Sequence, residues 1–215
     1  KPQFNKKKDF KNYPRNINKD LKILRKLKVD YLLMPNEKGI YSSNKQKKIK
    51  INKKDLIMCA KFRSGHFEGV LAVINQFLIK IKPSVMFLGK KDFQQIYLIK
   101  KFISGKFKTK IVQCKTIRNK NGLPYSSRNV LLNKKNFQTA VNVSQIIKKF
   151  YSTLKLNFKK TKDIYLIKNK IINKNVKLEY LEIRNKLNLS KKINKKNFKI
   201  FIAYYINGIR LIDNY

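Results

Sequence analysis

The sequence predicts an α/β fold, and three observations lead to it. Short apolar runs alternate with segments of helical periodicity through the first two thirds of the chain. Proline and glycine fall at the joints between them. The last third changes texture, with a long amphipathic stretch followed by strand-like runs. Alternation of this kind implies βαβ units and a mainly parallel sheet. The tail reads as a smaller α+β domain, so the expected division is 1–130 and 131–215.

Taken in order, Asn18 to Lys28 reads as a helix with Asn18 as N-cap and Leu21, Leu24 and Leu27 along one side. Val29 to Met34 is an apolar run closed by Pro35, the pattern of a buried strand. Phe67 to Ile81 carries Val70, Val73, Ile74, Phe77, Leu78 and Ile81 at helical spacing, and Pro83 stops it. Ser84 to Leu88 is a short strand, Phe93 to Phe102 a helix, and Lys110 to Ile117 another strand. A loop with Gly and Ser then runs from Asn119 to Asn129. Gln138 to Leu156 offers an apolar helical face, and Val176 to Ile183, Phe198 to Ile206 and Arg210 to Asn214 read as strands.

The composition narrows the function. Apolar residues make up 42% of 215 positions, enough for a core, and no run of 18 or more apolar residues appears. The chain therefore reads as a soluble, cytoplasmic protein with no membrane partner. Cys59 and Cys114 match no metal or redox spacing and read as reduced core thiols. A formal net charge of +42 raises the possibility of nucleic-acid binding. Yet the lysines are spread along the whole chain, arginine is scarce, and Asn, Ile and Tyr are abundant while Trp is absent. A nucleic-acid module would concentrate basic residues on one element and keep arginine for forked contacts. The charge reads instead as drift in an AT-rich gene, with no specific nucleic-acid partner.

Against that background the rare residues carry information. Glycine, arginine and the single histidine gather in Arg63–Gly69, in Gly89–Gln95 and between Arg118 and Asn129. Glycine permits close backbone approach to a ligand, and arginine supplies a planar fork that lysine cannot. Strand, then Gly89-Lys90-Lys91-Asp92, then helix is the pattern of a phosphate-binding turn as well as of an ordinary β–α turn. Ser126-Ser127-Arg128-Asn129 offers hydroxyl and guanidinium donors, although the same residues make a polar turn. In open sheets both loops would follow carboxyl ends of strands, where ligands bind. One histidine excludes a His-based metal site within the chain.

Together these windows resemble one family. Gln3-Phe4, Tyr13-Pro14-Arg15, Arg63-Ser64-Gly65-His66-Phe67-Glu68-Gly69-Val70, Gly89 to Gln95, Ser126 to Asn129 and Arg210-Leu211-Ile212-Asp213-Asn214 occur in the order and approximate spacing of the pantoate–β-alanine ligases. The resemblance implies a Rossmann-like nucleotidyltransferase domain, N-terminally incomplete, with a small α+β C-terminal domain and usually a homodimer. It implies an ATP-dependent, AMP-forming ligase that uses Mg²⁺ and condenses pantoate with β-alanine through pantoyl adenylate. By matching position, Gly89, Lys90, Lys91, Asp92, Ile117, Tyr125, Ser126, Ser127 and Arg128 would bind ATP. Gln3 and Gln95 would hold pantoate, with Gln3 also near β-alanine. Tyr13, Arg63 and His66 would stand close to the pocket, and no metal ligand is assigned.

The family opens with a strand and a His-containing loop that supplies its catalytic histidine, whereas this sequence starts at Lys1 just before the Gln-Phe motif. No catalytic residue is therefore assigned, and the polypeptide alone is expected to be a poor catalyst. Lys19 beside Asp20 replaces the family's frequent paired acids, which weakens Asp20 as a Mg²⁺ ligand. The alternatives are another nucleotidyltransferase of the superfamily, a non-catalytic remnant of the ligase, and a basic nucleic-acid-binding protein.

Overall fold

The computed structural model describes residues 13, 14, 16–40 and 49–215. Gln3, expected in the pocket, and Arg15 lie outside them. The described elements run α1 (Ile17–Lys26), α2 (His66–Ile81), β1 (Val85–Gly89), α3 (Phe93–Ile103), β2 (Lys110–Cys114), α4 (Lys134–Leu156), α5 (Ile164–Ile172), β3 (Lys177–Asn185), β4 (Phe198–Ile206) and β5 (Ile209–Asn214), with single helical turns between some of them.

β1 and β2 pair in parallel from Val85 opposite Lys110 to Gly89 opposite Cys114. The crossover between them is α3, which packs with α2 around Val70, Leu71, Leu78, Ile99 and Ile103. β3, β4 and β5 form an antiparallel meander with β4 in the centre. One face of this sheet packs on α4 and α5 through Ile147, Leu154, Ile171, Ile200 and Ile202. The other face meets the first half of the chain, where Phe201 packs with Met58 and Leu189 and against Phe93 and Tyr97. A central strand covered on both faces has no solvent side to mark with polar residues, hence the nearly unbroken apolar reading of Phe198 to Ile206.

Most predicted elements stand within a few residues of their expected bounds. Four differences have physical causes. The N-cap of α1 is Asn16, whose side chain accepts from the Lys19 backbone N–H at 3.0 Å, and none of the helix's residues is buried. Val29 to Met34 forms no strand and is exposed, Tyr31 to 93%. A strand is stable only with a ladder partner, and among the described residues the parallel sheet contains β1 and β2 alone. β2 ends at Cys114 rather than Ile117, because its partner strand ends at Gly89. Cys114 is exposed rather than in the core. It stands opposite that glycine, which has no side chain to cover it. Cys59 is buried as expected.

Among the described residues, no helix is long and apolar enough to cross a membrane.

Candidate active site

Gly89 ends β1 and leads into a helical turn, Lys90–Asp92, that runs directly into α3. The backbone at Gly89 is extended, with φ −73°, so positive φ does not explain this glycine. A methyl group there would meet nothing within 4 Å, which leaves the space beside the turn open to a ligand. The first N–H groups of α3 have no partner within the helix and carry partial positive charge.

The second window is a folded-back loop. Arg118 bridges Pro124, Tyr125 donates its N–H to the Ile117 carbonyl at 3.1 Å, and Gly122 turns the chain with φ +87°. The loop ends in a helical turn, Ser127–Leu131, capped by the Ser126 hydroxyl, which accepts from the Arg128 N–H at 3.3 Å. Asn129 Nδ2 donates to the Pro124 carbonyl at 3.0 Å and locks this turn to the loop. Ser127 Oγ donates to the Tyr13 hydroxyl at 3.0 Å, and the Arg128 guanidinium lies 5.3 Å from the centre of the Tyr13 ring.

These windows meet. Lys91, Asp92, Ser126 and Arg128 line one cavity of about 400 Å³, together with Tyr13, Arg63 and the β4–β5 hairpin. Among the described residues, no carboxylate stands within ion-pair distance of the Lys91 ammonium. An adjoining cavity of about 40 Å³ holds Gln95 and His66 and shares Arg63, Lys91, Asp92 and Ile212 with the first. Arg63 Nη1 lies 2.8 Å from His66 Nε2. A guanidinium only donates, so His66 Nε2 is the acceptor and a neutral ring carries its proton on Nδ1.

Other predicted positions stand elsewhere. Gly89, Lys90 and Ser127 do not line either cavity. Ile117 and Tyr125 are 69% and 63% exposed. Their backbones bond to each other across the loop, which sends both side chains outward.

Residues that the three windows did not point to also line the larger cavity: Tyr204, Tyr205, Asn207, Gly208 and Arg210. Gly208 and Arg210 belong to the same rare types but stand apart from the clusters in sequence. Arg210 is held by Glu179, whose side chain is 8% exposed, with Nε at 3.2 and 3.1 Å from the two carboxylate oxygens, and its Nη2 lies 3.3 Å from Cys59 Sγ. Arg118, rather than facing the cavity, makes a fork to Asp213 with contacts of 2.7 and 2.8 Å. Burial pulls the Arg118 guanidinium down, but hydrogen bonding and charge from Asp213 more than offset this and leave it raised. Burial, then the charge of Asp213, pushes the Tyr215 hydroxyl up to about 12, against the opposing effects of Ser144 and Arg118.

Comparison with known proteins shows which family the chain belongs to. The family profile for pantoate-beta-alanine ligase matches residues 1–215. The chain belongs to the pantoate–β-alanine ligase family. Relatives in that family include the pantothenate synthetases of Francisella tularensis subsp. mediasiatica, 36% identical over 218 residues, and of Coxiella burnetii, 36% identical over 216 residues. Each alignment covers 99% of this chain and 74% of the relative. The ligase of Francisella tularensis, solved in complex with beta-gamma ATP and beta-alanine, superposes with a TM-score of 0.83 at 34% identity, over 100% of this chain and 75% of that one. The pantothenate synthetase of Thermus thermophilus, at 22% identity, shares the fold with a TM-score of 0.87, over 100% of this chain and 79% of that one. The ligase fold is thus a Rossmann-like nucleotidyltransferase domain followed by a small C-terminal domain, and the family's name states the bond it forms, between pantoate and β-alanine.

Proposed function

We infer that the larger cavity takes ATP and that the smaller one takes part of pantoate, so that the chain joins pantoate to β-alanine through an acyl adenylate. The observation that carries this reading is the presence of Lys91 and Arg128, from two windows far apart in sequence, on the wall of one cavity in a member of this ligase family.

The chemistry asks for little more than position and charge. A carboxylate oxygen of pantoate attacks the α-phosphorus of ATP, the bond between the α-phosphate and its bridging oxygen breaks, and pyrophosphate leaves. The amine of β-alanine then attacks the acyl carbon, AMP departs, and the amine loses a proton to form the amide. Two anions must approach in the first step, so fixed cations and helix N–H groups lower its barrier. Lys91 and Arg128 supply full charges, and Ser126, in the second window, adds a hydroxyl to the cavity wall. Gln95 offers an amide to the hydroxyl or carboxylate of pantoate in the adjoining space.

Mg²⁺ is part of the same reading. Among the described residues, no group of three or more His, Cys, Asp or Glu could hold a metal ion. Asp92, the carboxylate on the wall of the larger cavity, is the residue that would hold an ion carried in on the triphosphate, and the ion would neutralise phosphate charge there. A cytoplasmic homodimer also belongs to this reading. The free, buried thiol of Cys59 suits a reducing compartment, and the exposed apolar run from Val29 to Met34 is surface of the kind a second copy covers. Its mass in solution tests the dimer.

Pantoate-dependent exchange of labelled pyrophosphate into ATP, by the enzyme as its gene encodes it, is the direct test. Lys91→Ala and Arg128→Ala are each expected to cut exchange by roughly 100-fold, the loss typical of one removed charge stabiliser. Gln95→Ala should mainly raise the pantoate concentration required. Exchange that proceeds without pantoate, or at an unchanged rate in both charge variants, contradicts the assignment.

A further inference from the structure

Both windows are attached to the same three residues at the end of β5. Asn214 is 5% exposed, and its amide spends both hydrogens on consecutive carbonyls of the first window, Lys90 O at 3.0 Å and Lys91 O at 2.8 Å. Its neighbour Asp213 takes the fork of Arg118, which opens the second window, and the same guanidinium donates to the Gly122 carbonyl at 2.9 Å and the Tyr215 hydroxyl at 3.0 Å. From Arg118 the bridge to Pro124 and the Asn129 bond carry that hold on to the turn bearing Arg128.

We propose that Asn214 is a positioning residue for adenylation: with Asp213 beside it, the end of β5 sets the gap between the two anion-binding windows and turns the backbone of the first. This rests on the reading that the cavity takes the phosphates of ATP. The peptide bonds here are trans. In a trans peptide the C=O and the following N–H point in opposite directions. Holding the carbonyls of Lys90 and Lys91 against Asn214 therefore turns the N–H groups of Lys91 and Asp92 to the far side of the turn. Only a side chain with two donors on one short stem satisfies both carbonyls. Aspartate would set a carboxylate against two acceptors, and alanine would leave both unheld.

The test separates positioning from general support. Asn214→Asp is expected to lower kcat/KM for ATP in the exchange reaction by about tenfold to a hundredfold, the scale of a misplacement near 1 Å, while KM for pantoate changes by less than about threefold. Because Asn214 acts on backbone that Lys91→Ala leaves in place, Asn214→Asp should still cost at least about threefold in a Lys91→Ala background. A loss that vanishes once the Lys91 side chain is gone, or an equal fall in the use of both substrates, overturns the proposal. Circular dichroism and thermal unfolding check that the variant folds. If Asn214→Asp does not, Asn214→Ala, which removes the donors without adding charge, is held to the same two criteria. Absence of exchange in the unmodified enzyme removes the underlying ATP reading; normal exchange with unaffected Asn214 variants removes this inference alone.

Discussion

At the scale of single residues, Lys199 shows what burying a lysine costs. Lys199 lies on β4, where its ammonium sits 5.2 Å from the centre of the Phe93 ring. Burial pushes it down from lysine's ordinary 10.5 to about 8; the neighbouring Lys90, Arg118 and Lys186 add to this, and Asp213 opposes it. Its folded value is thus below its unfolded one. Between pH 8 and 10.5 the unfolded chain binds more protons, so this group's penalty is full below pH 8 and is relieved as pH rises through the window. Lys199→Met keeps the aliphatic stem and removes the buried charge. It should raise stability at pH 7 by about 1–2 kcal/mol, after discounting partial exposure and the lost ring contact. Urea unfolding at pH 7 and pH 10.5 checks both halves, since the gain should vanish at the higher pH. A variant less stable than the parent at pH 7 would show that Lys199 is held by its partners, not penalised.

At the scale of elements, the two edge strands of the antiparallel sheet are tied to each other by an ion pair as well as through the central strand. β5 brings Arg210 against Glu179 of β3, with side chains 14% and 8% exposed, and Tyr205 donates to the same carboxylate at 3.0 Å. Removing one partner of a buried pair leaves a charge without compensation, at a cost of about 3–5 kcal/mol. Glu179→Gln should therefore destabilise by about 3 kcal/mol in urea unfolding. Replacing both partners, Glu179→Leu with Arg210→Met, should recover most of that loss. A double variant as unstable as the single would assign the cost to packing, not to the stranded charge. This tie also marks what the sequence could show. Periodicity placed α2, α3, α4 and β4 because their apolar stripes report burial directly. The glycine, arginine and serine clusters placed Lys91, Ser126 and Arg128 because rare residues stand out against lysine and asparagine. Arg118 stood in the same cluster yet serves Asp213, since local sequence cannot tell an arginine that meets a ligand from one that meets a distant carboxylate. The part of the lining made by Tyr204 and Tyr205 was hidden for a related reason: it depends on how a C-terminal hairpin docks, a long-range event with no local signature, although the Arg210–Asn214 motif did mark its last strand. Val29 to Met34 failed in the opposite direction, because an apolar run states a preference for burial but does not supply the neighbour that buries it.

At the scale of the whole molecule, a net charge of +42 on 215 residues sets how the protein responds to salt. With 53 basic and 11 acidic side chains, most cations have no partner of opposite sign and repel one another across the surface. The folded state holds them closer together than the unfolded chain does, so self-repulsion works against folding. At 0.1 M ionic strength the screening length is about 10 Å, against about 30 Å at 0.01 M, so added salt removes mainly the long-range repulsion and leaves short, partly buried pairs such as Arg118 with Asp213 little changed. Raising KCl from about 20 mM to about 300 mM should therefore raise Tm by several degrees. The same step should abolish binding to heparin or RNA of any sequence, since that affinity comes from released counterions. On the proposed ATP reading, ATP use should fall less steeply over that range, because Lys91 and Arg128 line a cavity and not open surface. Thermal unfolding, a polyanion filter assay and the exchange reaction across one salt series measure the three responses side by side. Polyanion binding that persists at high salt and prefers one sequence would assign the lysines a selected role in nucleic-acid recognition. A Tm that falls with salt would mean that attractive pairs outweigh repulsion in this surface.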